Sequence, residues 1–103
     1  MRVPHHPSLD DVCISAVFNA LSDPIRLQIL TRLATDGELC CNEIRLPVTK
    51  STMSHHFRVL REAGLTFTRV VGTRHYLTLR REAVDARFPG LLDVVLPLAA
   101  QVR

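Results

Sequence analysis

Apolar residues recur at helical spacing through the first 63 positions, alternate over a short stretch, and then return to helical spacing near the end. Leu9, Val12, Ala16, Val17 and Ala20 make a first stripe, with Ser8 as N-cap and Asp10 and Asp11 in the opening turn, where exposed N–H groups favour negative charge. Leu21-Ser22-Asp23-Pro24 is a stop followed by a start: Asp23 suits an N-cap, and Pro24 suits the first helical position, where a missing N–H costs nothing. The second helix carries Leu27, Leu30 and Leu33 with Ile25 and Ile29 alongside, and ends at Asp36-Gly37. A short third helix is expected around Asn42, Glu43 and Ile44, unable to run through Pro47. The fourth has Thr49 as cap, Val48 as a staple on Met53, an inward stripe of Met53, Phe57 and Leu60, and Gly64 as its close. Two short helices with a tight connection predict a helix-turn-helix.

Beyond Gly64 the period changes. Leu65 to Val71, the turn Gly72-Thr73 and the alternating His75 to Leu79 predict a β-hairpin, with Arg69 and Arg74 bracketing its tip. From Arg81 onward, Ala83, Val84, Phe88, Leu91, Leu92, Val95 and Leu96 predict one or two last helices, interrupted near Pro89-Gly90 and closed by Pro97. So apolar an end either completes the monomer core or packs with the first helix across a two-fold axis, and the second is the expectation. The expected fold is mainly α with a β-hairpin: a winged helix-turn-helix over residues 8–103, preceded by a flexible arm over residues 1–7, forming a homodimer through the first and last helices.

The chain has 103 residues, 47% of them apolar, enough for one modest core. No apolar run reaches the roughly 18 to 20 residues of a membrane span, and Asp10 and Asp11 interrupt any targeting core. A cytoplasmic protein with no membrane partner is expected. Three cysteines, two of them adjacent, do not make a secreted disulfide framework.

Net charge is only +3, but its distribution is uneven. Residues 1–47 hold four basic against six acidic side chains, whereas Val48 to Arg81 hold seven basic residues against Glu62 alone. Such a block focuses positive potential onto a polyanion, and the expected partner is double-stranded DNA. In a helix-turn-helix the N-terminal part of the second helix enters the major groove, which puts Ser51, Thr52 and His55 nearest the bases. Lys50, Arg58 and Arg61 suit the backbone, unless Arg61 is only a solvated side chain near Glu62; short hydroxyls such as Ser54 can contact phosphates, and Arg69 and Arg74 suit an adjacent minor groove or its phosphates. His56 reads better as a part-buried structural histidine bonded to the turn than as a DNA contact. No nucleophile, base and orienting group can be assembled at fixed spacing, so an enzyme is not expected. The alternative is a winged-helix module that binds another protein without reading DNA.

The segment Leu46-Pro47-Val48-Thr49-Lys50-Ser51-Thr52-Met53-Ser54-His55-His56-Phe57-Arg58-Val59-Leu60-Arg61-Glu62-Ala63-Gly64-Leu65 resembles the recognition-helix region of the ArsR/SmtB family of bacterial winged-helix repressors. Leu21 to Leu30, Gly37-Glu38-Leu39-Cys40 and Gly72-Thr73-Arg74-His75-Tyr76 are similar to that family's second helix, third-helix entry and wing. The resemblance implies a symmetric dimer that reads an imperfect inverted repeat, represses a small operon and leaves DNA when an inducer binds.

For that inducer the chain departs from the family's metalloid pattern, Cys-Val-Cys-x-x-Cys, because Asn42 and Arg45 stand where two of the three thiols would be and only Cys40 matches. A second family site, joining the third helix to the other subunit's arm, matches at Cys40 and Glu43, with His5, His6 or Cys13 as arm ligands for Zn²⁺ or another thiophilic metal. The remaining readings are a thiol redox switch of Cys13, Cys40 and Cys41, or cysteines that act only as small buried hydrophobes.

Overall fold

The computed structural model describes residues 4–102. Helices α1 (Ile14–Leu21) and α2 (Pro24–Asp36) are followed by strand β1 (Leu39–Cys40), the long helix α3 (Lys50–Glu62), the hairpin β2 (Thr66–Val71) and β3 (Arg74–Leu79), and helices α4 (Arg81–Arg87) and α5 (Leu91–Ala99). The three strands form an antiparallel sheet in the order β1-β3-β2. α1 and α5 both pack on α2, and α3 packs between α2 and β2. Ile29, Leu30, Leu60, Leu65, Leu77, Val84 and Leu92 centre the core. This is the expected winged helix-turn-helix, mainly α with a β-hairpin, and no helix among the described residues is long and apolar enough to cross a membrane.

The caps at two helix starts are as expected. Asp23 accepts from Ile25 N at 2.8 Å and Arg26 N at 3.2 Å, and Thr49 Oγ1 accepts from Thr52 N at 3.2 Å. The hairpin turns at Gly72-Thr73, with Gly72 at φ 59° in the first turn position, where a II′ turn requires glycine.

Several expectations need correction. The first predicted helix is broken: Ser8 caps only a single 3-10 turn, Leu9–Asp11, and a new helix starts after Cys13. The extended step at Val12 and Cys13 lets both Leu9 and Val12 reach the core beside Gly64, while Ala16 turns outward to solvent. The Val12 carbonyl freed by the break accepts from Arg87 at 3.4 Å, and Arg87 also donates at 3.1 Å to Leu9 O, already bonded to Val12 N. The third predicted helix shrinks to a 3-10 turn, Cys41–Glu43, because β1 claims Leu39 and Cys40 while Pro47 forces its predecessor out of helical conformation. On α2 the buried stripe is Arg26, Ile29, Leu30 and Leu33, and Leu27 is only half-buried. On α3 it is Met53, His56 and Leu60, with Phe57 half-buried. Pro97 lies inside α5, where it removes one helical bond; the helix continues, and Ala100 N donates to Leu96 O at 3.0 Å.

Candidate nucleic-acid interface

Because α3 buries Met53, His56 and Leu60, the helical repeat sends Ser51, Ser54, His55 and Arg58 to the opposite side, and all four are exposed. His55 Nδ1 lies 3.4 Å from an Arg58 guanidinium nitrogen, so the two form one polar ridge. Lys50 begins the helix, exposed, where its ammonium stands clear of the core. Thr52 is exposed but shares a helical row with His56 and Val59, and its hydroxyl accepts from Thr49 Oγ1 at 2.9 Å. Thr52 is therefore engaged in the cap. Glu62 ends the outward row at the far end of the helix.

The wing differs from expectation at one arginine. Arg74 is exposed and pairs in register with Val71, directly at the turn. Arg69 stands opposite Tyr76, short of the tip, and makes a two-pronged ion pair with Glu38 at 2.6 and 3.2 Å while its guanidinium lies 4.8 Å over the Tyr76 ring. The hydrogen bond and charge of Arg69 hold the Glu38 carboxyl below its ordinary range. Both partners are solvated, so the pair orients Arg69 more than it stabilises the fold.

What fixes the reading helix is a buried polar network that the sequence reading missed in part. Arg26 donates from Nε to Ala20 O at 2.8 Å and from a terminal nitrogen to Asn19 O at 3.0 Å; its other terminal nitrogen lies 3.1 Å from His56 Nδ1. A guanidinium only donates, so His56 accepts at Nδ1 and carries its proton on Nε2. Burial above all, with help from Arg26 and His55 and against Asp23, lowers the His56 pKa and keeps the ring neutral. The structural reading of His56 thus has a partner: not a turn but an arginine of α2. The signal was in the sequence, since Arg26 falls in the row of Leu30 and Leu33, and His56 in the row of Met53 and Leu60.

The sensing candidates do not converge within one chain. Among the described residues no group of three or more His, Cys, Asp and Glu side chains is placed to hold a metal. Cys40 is buried on β1, and Glu43 accepts from Cys40 N at 2.9 Å, serving the backbone instead. His6 accepts at Nε2 from Thr68 N at 2.9 Å and stacks on Phe67 with ring centroids 4.1 Å apart. His5 and Cys13 are exposed. One chain's residues therefore do not fit the metal. All three cysteines are free, and burial with the neighbouring Cys40 pushes the Cys41 thiol up to about 11, away from the reactive thiolate. Of the arm expected over residues 1–7, Met1–Val3 lie outside the described residues; Pro4–Pro7 carry no helix or strand, and Pro7 O accepts from Arg80 at 2.9 Å.

Comparison with known proteins gives this surface a context. Residues 21–66 match the model of a helix-turn-helix domain. The chain is 40% identical over 89 residues to an uncharacterised HTH-type transcriptional regulator, YceK, of Bacillus subtilis, covering 84% of this chain and 89% of the relative. It is 36% identical to an arsenical resistance operon repressor of Staphylococcus xylosus, covering 70% of each. Among solved structures, HlyU from Vibrio cholerae superimposes with a TM-score of 0.68 at 31% identity, over 85% of this chain and 92% of that one.

Proposed function

The chain belongs to the ArsR/SmtB family of winged-helix transcriptional regulators, and from that premise we propose that it represses transcription as a homodimer bound to an inverted repeat, not as an enzyme and within the cytoplasm. The observation that carries this reading is the outward ridge of Ser51, Ser54, His55 and Arg58 on a helix whose opposite face is locked into the core. Hydroxyls and an imidazole suit base edges and phosphates, and Lys50, Arg58 and Arg74 supply cations for the backbone. Thr52 contributes from the cap, and Arg69 acts by setting the wing against Glu38. Residues 8–103 form the regulatory domain, with residues 1–7 as its arm.

Dimerisation is supported by apolar side chains left in solvent on two helices that each pack on α2. Ile14 and Phe18 of α1 are 42% and 57% exposed, and Val94 and Leu98 of α5 are 63% and 59% exposed. Each pair is spaced by four residues, one helical face apiece, and both helices flank α2. A second copy covers such a face isologously.

Fluorescence anisotropy with an inverted-repeat operator and a scrambled duplex tests the reading. Binding in the nanomolar range that weakens steeply with salt is expected. His55→Ala should erode the preference for operator, whereas Arg74→Ala should weaken both duplexes alike and lower the salt slope by about 1. Equal affinity for both duplexes at moderate salt would overturn sequence-specific repression and favour the protein-interaction alternative. For the inducer, Zn²⁺, arsenite and a thiol oxidant are added to the DNA complex of the parent and of Cys13→Ser, Cys40→Ser and Cys41→Ser; release confined to the parent identifies the thiols used, and no release by any agent removes both sensing proposals.

A further inference from the structure

Arg61 belongs neither to the buried stripe of α3 nor to its outward ridge. Its Nε is buried and has no hydrogen-bond partner among the described residues. Because a guanidinium stays charged, an N–H removed from water without an acceptor is costly, and the charge of Arg61 is left under-compensated within the described residues. Arg61 lines a cavity of about 360 Å³ between α3 and the hairpin. Arg74 and His75 face it from the wing, and no Asp or Glu lines it. Phe57 and Leu77 give it an apolar wall. Small-molecule sites run from about 300 to 1,000 Å³, so there is room for more than a bare inorganic ion. The positive field reaches past the cavity: after burial, Arg61 and Arg80 are the leading causes that hold the His6 imidazole below its ordinary range.

We propose that this cavity binds a small organic anion, a carboxylate or phosphate monoester with a compact apolar body, its charged group held by Arg61 and Arg74 and its body against Phe57 and Leu77. Ser54 of the outward ridge lines the same cavity, as does Arg74 at the turn, so the bound anion occupies the notch between reading helix and wing and competes with a duplex. The competition rests on the DNA-binding reading; the binding does not. A backbone phosphate of DNA offers the same oxyanion chemistry, and the test separates the two sources.

The full chain is titrated calorimetrically with phenyl phosphate and benzoate, with inorganic phosphate as charge without a body and benzyl alcohol as body without charge. Saturable binding of phenyl phosphate or benzoate, one per chain and about tenfold or more tighter than either control, is expected. Arg61→Gln, and independently Arg74→Gln should the first fail to fold by circular dichroism, should weaken it about tenfold, the loss of one charge-assisted hydrogen bond. Amide shifts in the labelled protein should centre on Thr68, Thr73 and His75. No saturable binding by either probe, equal binding of benzyl alcohol, or unchanged binding in folded Arg61→Gln overturns the proposal. If Arg61→Gln weakens operator and scrambled DNA alike while neither probe binds, the oxyanion is a DNA phosphate and the small-molecule site is refuted. If the probes bind and no duplex does, the cavity stands and the regulator reading falls.

Discussion

Replacing Arg26 by Met keeps the aliphatic stem of this side chain and deletes its donors. The need for those donors arises at α1's end. Ala20 O would ordinarily accept from the residue four places on, but that residue is Pro24, which has no N–H. Ala20 is fully buried, so water does not substitute, and Arg26 Nε supplies the missing bond. Asn19 O is less dependent, because Ser22 donates to it from both backbone and hydroxyl. Arg26→Met therefore strands two buried acceptors, Ala20 O and His56 Nδ1, each at a cost of about 1–3 kcal/mol, while recovering some of the cost of desolvating a guanidinium. A net loss of about 2–4 kcal/mol is expected out of the 5–15 typical of a domain. Urea unfolding at matched protein concentration reads it; with an m-value of about 1–3 kcal/mol/M the midpoint falls by about 1–2 M. Arg26→Lys should fall between, since one ammonium cannot span three acceptors fixed around a planar fork. A loss below about 0.5 kcal/mol in Arg26→Met would refute the claim that this network anchors the reading helix.

Gly64 ends α3 at φ 80°, and an added Cβ would lie 3.1 Å from both Leu9 and Val12, whereas at Gly72, also at positive φ, it would meet nothing. Gly64→Ala should thus cost more than the about 1–2 kcal/mol of backbone strain that both share, and equal losses in thermal unfolding would argue against the tight contact. His6 and His56 both have lowered folded pKa values, so each contributes stability that is full above about 6.5 and is lost as pH falls below it. Histidine ring titrations followed by NMR should show both midpoints below that of a free imidazole, and a midpoint above it for His56 would contradict the neutral acceptor. Phe18→Glu with Leu98→Glu should yield a monomer in sedimentation equilibrium, each lost side chain having supplied about 1.5–3 kcal/mol of burial; an intact dimer would place the interface elsewhere.

The parts of this fold legible in the sequence are those governed by local chemistry. Asp23-Pro24, Thr49 and Gly72-Thr73 act within a few residues, so caps and turn follow from side-chain type alone. What escaped depends on distant partners. Nothing local to Val12-Cys13 announces a break; the break follows from the room beside Gly64 and from Arg87, 75 positions away, donating to the freed Val12 carbonyl. Leu39-Cys40 is too short to show alternation and becomes a strand only because Leu77 and Tyr76 offer it an edge. In the candidate interface, the exposed ridge of α3 was readable from period, whereas the engagement of Arg69 was not, because its partner Glu38 lies in another segment.

His6 ties the arm to the wing through one lone pair. His6 Nε2 accepts from Thr68 N on β2, an edge strand of the sheet, and with the ring neutral its other nitrogen carries the proton. Whatever next takes that lone pair, a proton or a metal, must first break the bond to the wing. The arm's base is also held by Arg80 at Pro7 O, so losing the His6 bond removes its tether to the β2 backbone while Pro7 stays anchored. Hydrogen exchange at the Thr68 amide isolates this event. Protection should fall on acidification through the His6 midpoint and in His6→Ala at neutral pH, with the amides of β3 unchanged. An agent that releases DNA without altering Thr68 exchange would act without His6, which removes that residue from the sensing set and leaves His5, Cys13, Cys40 and Cys41 to account for it.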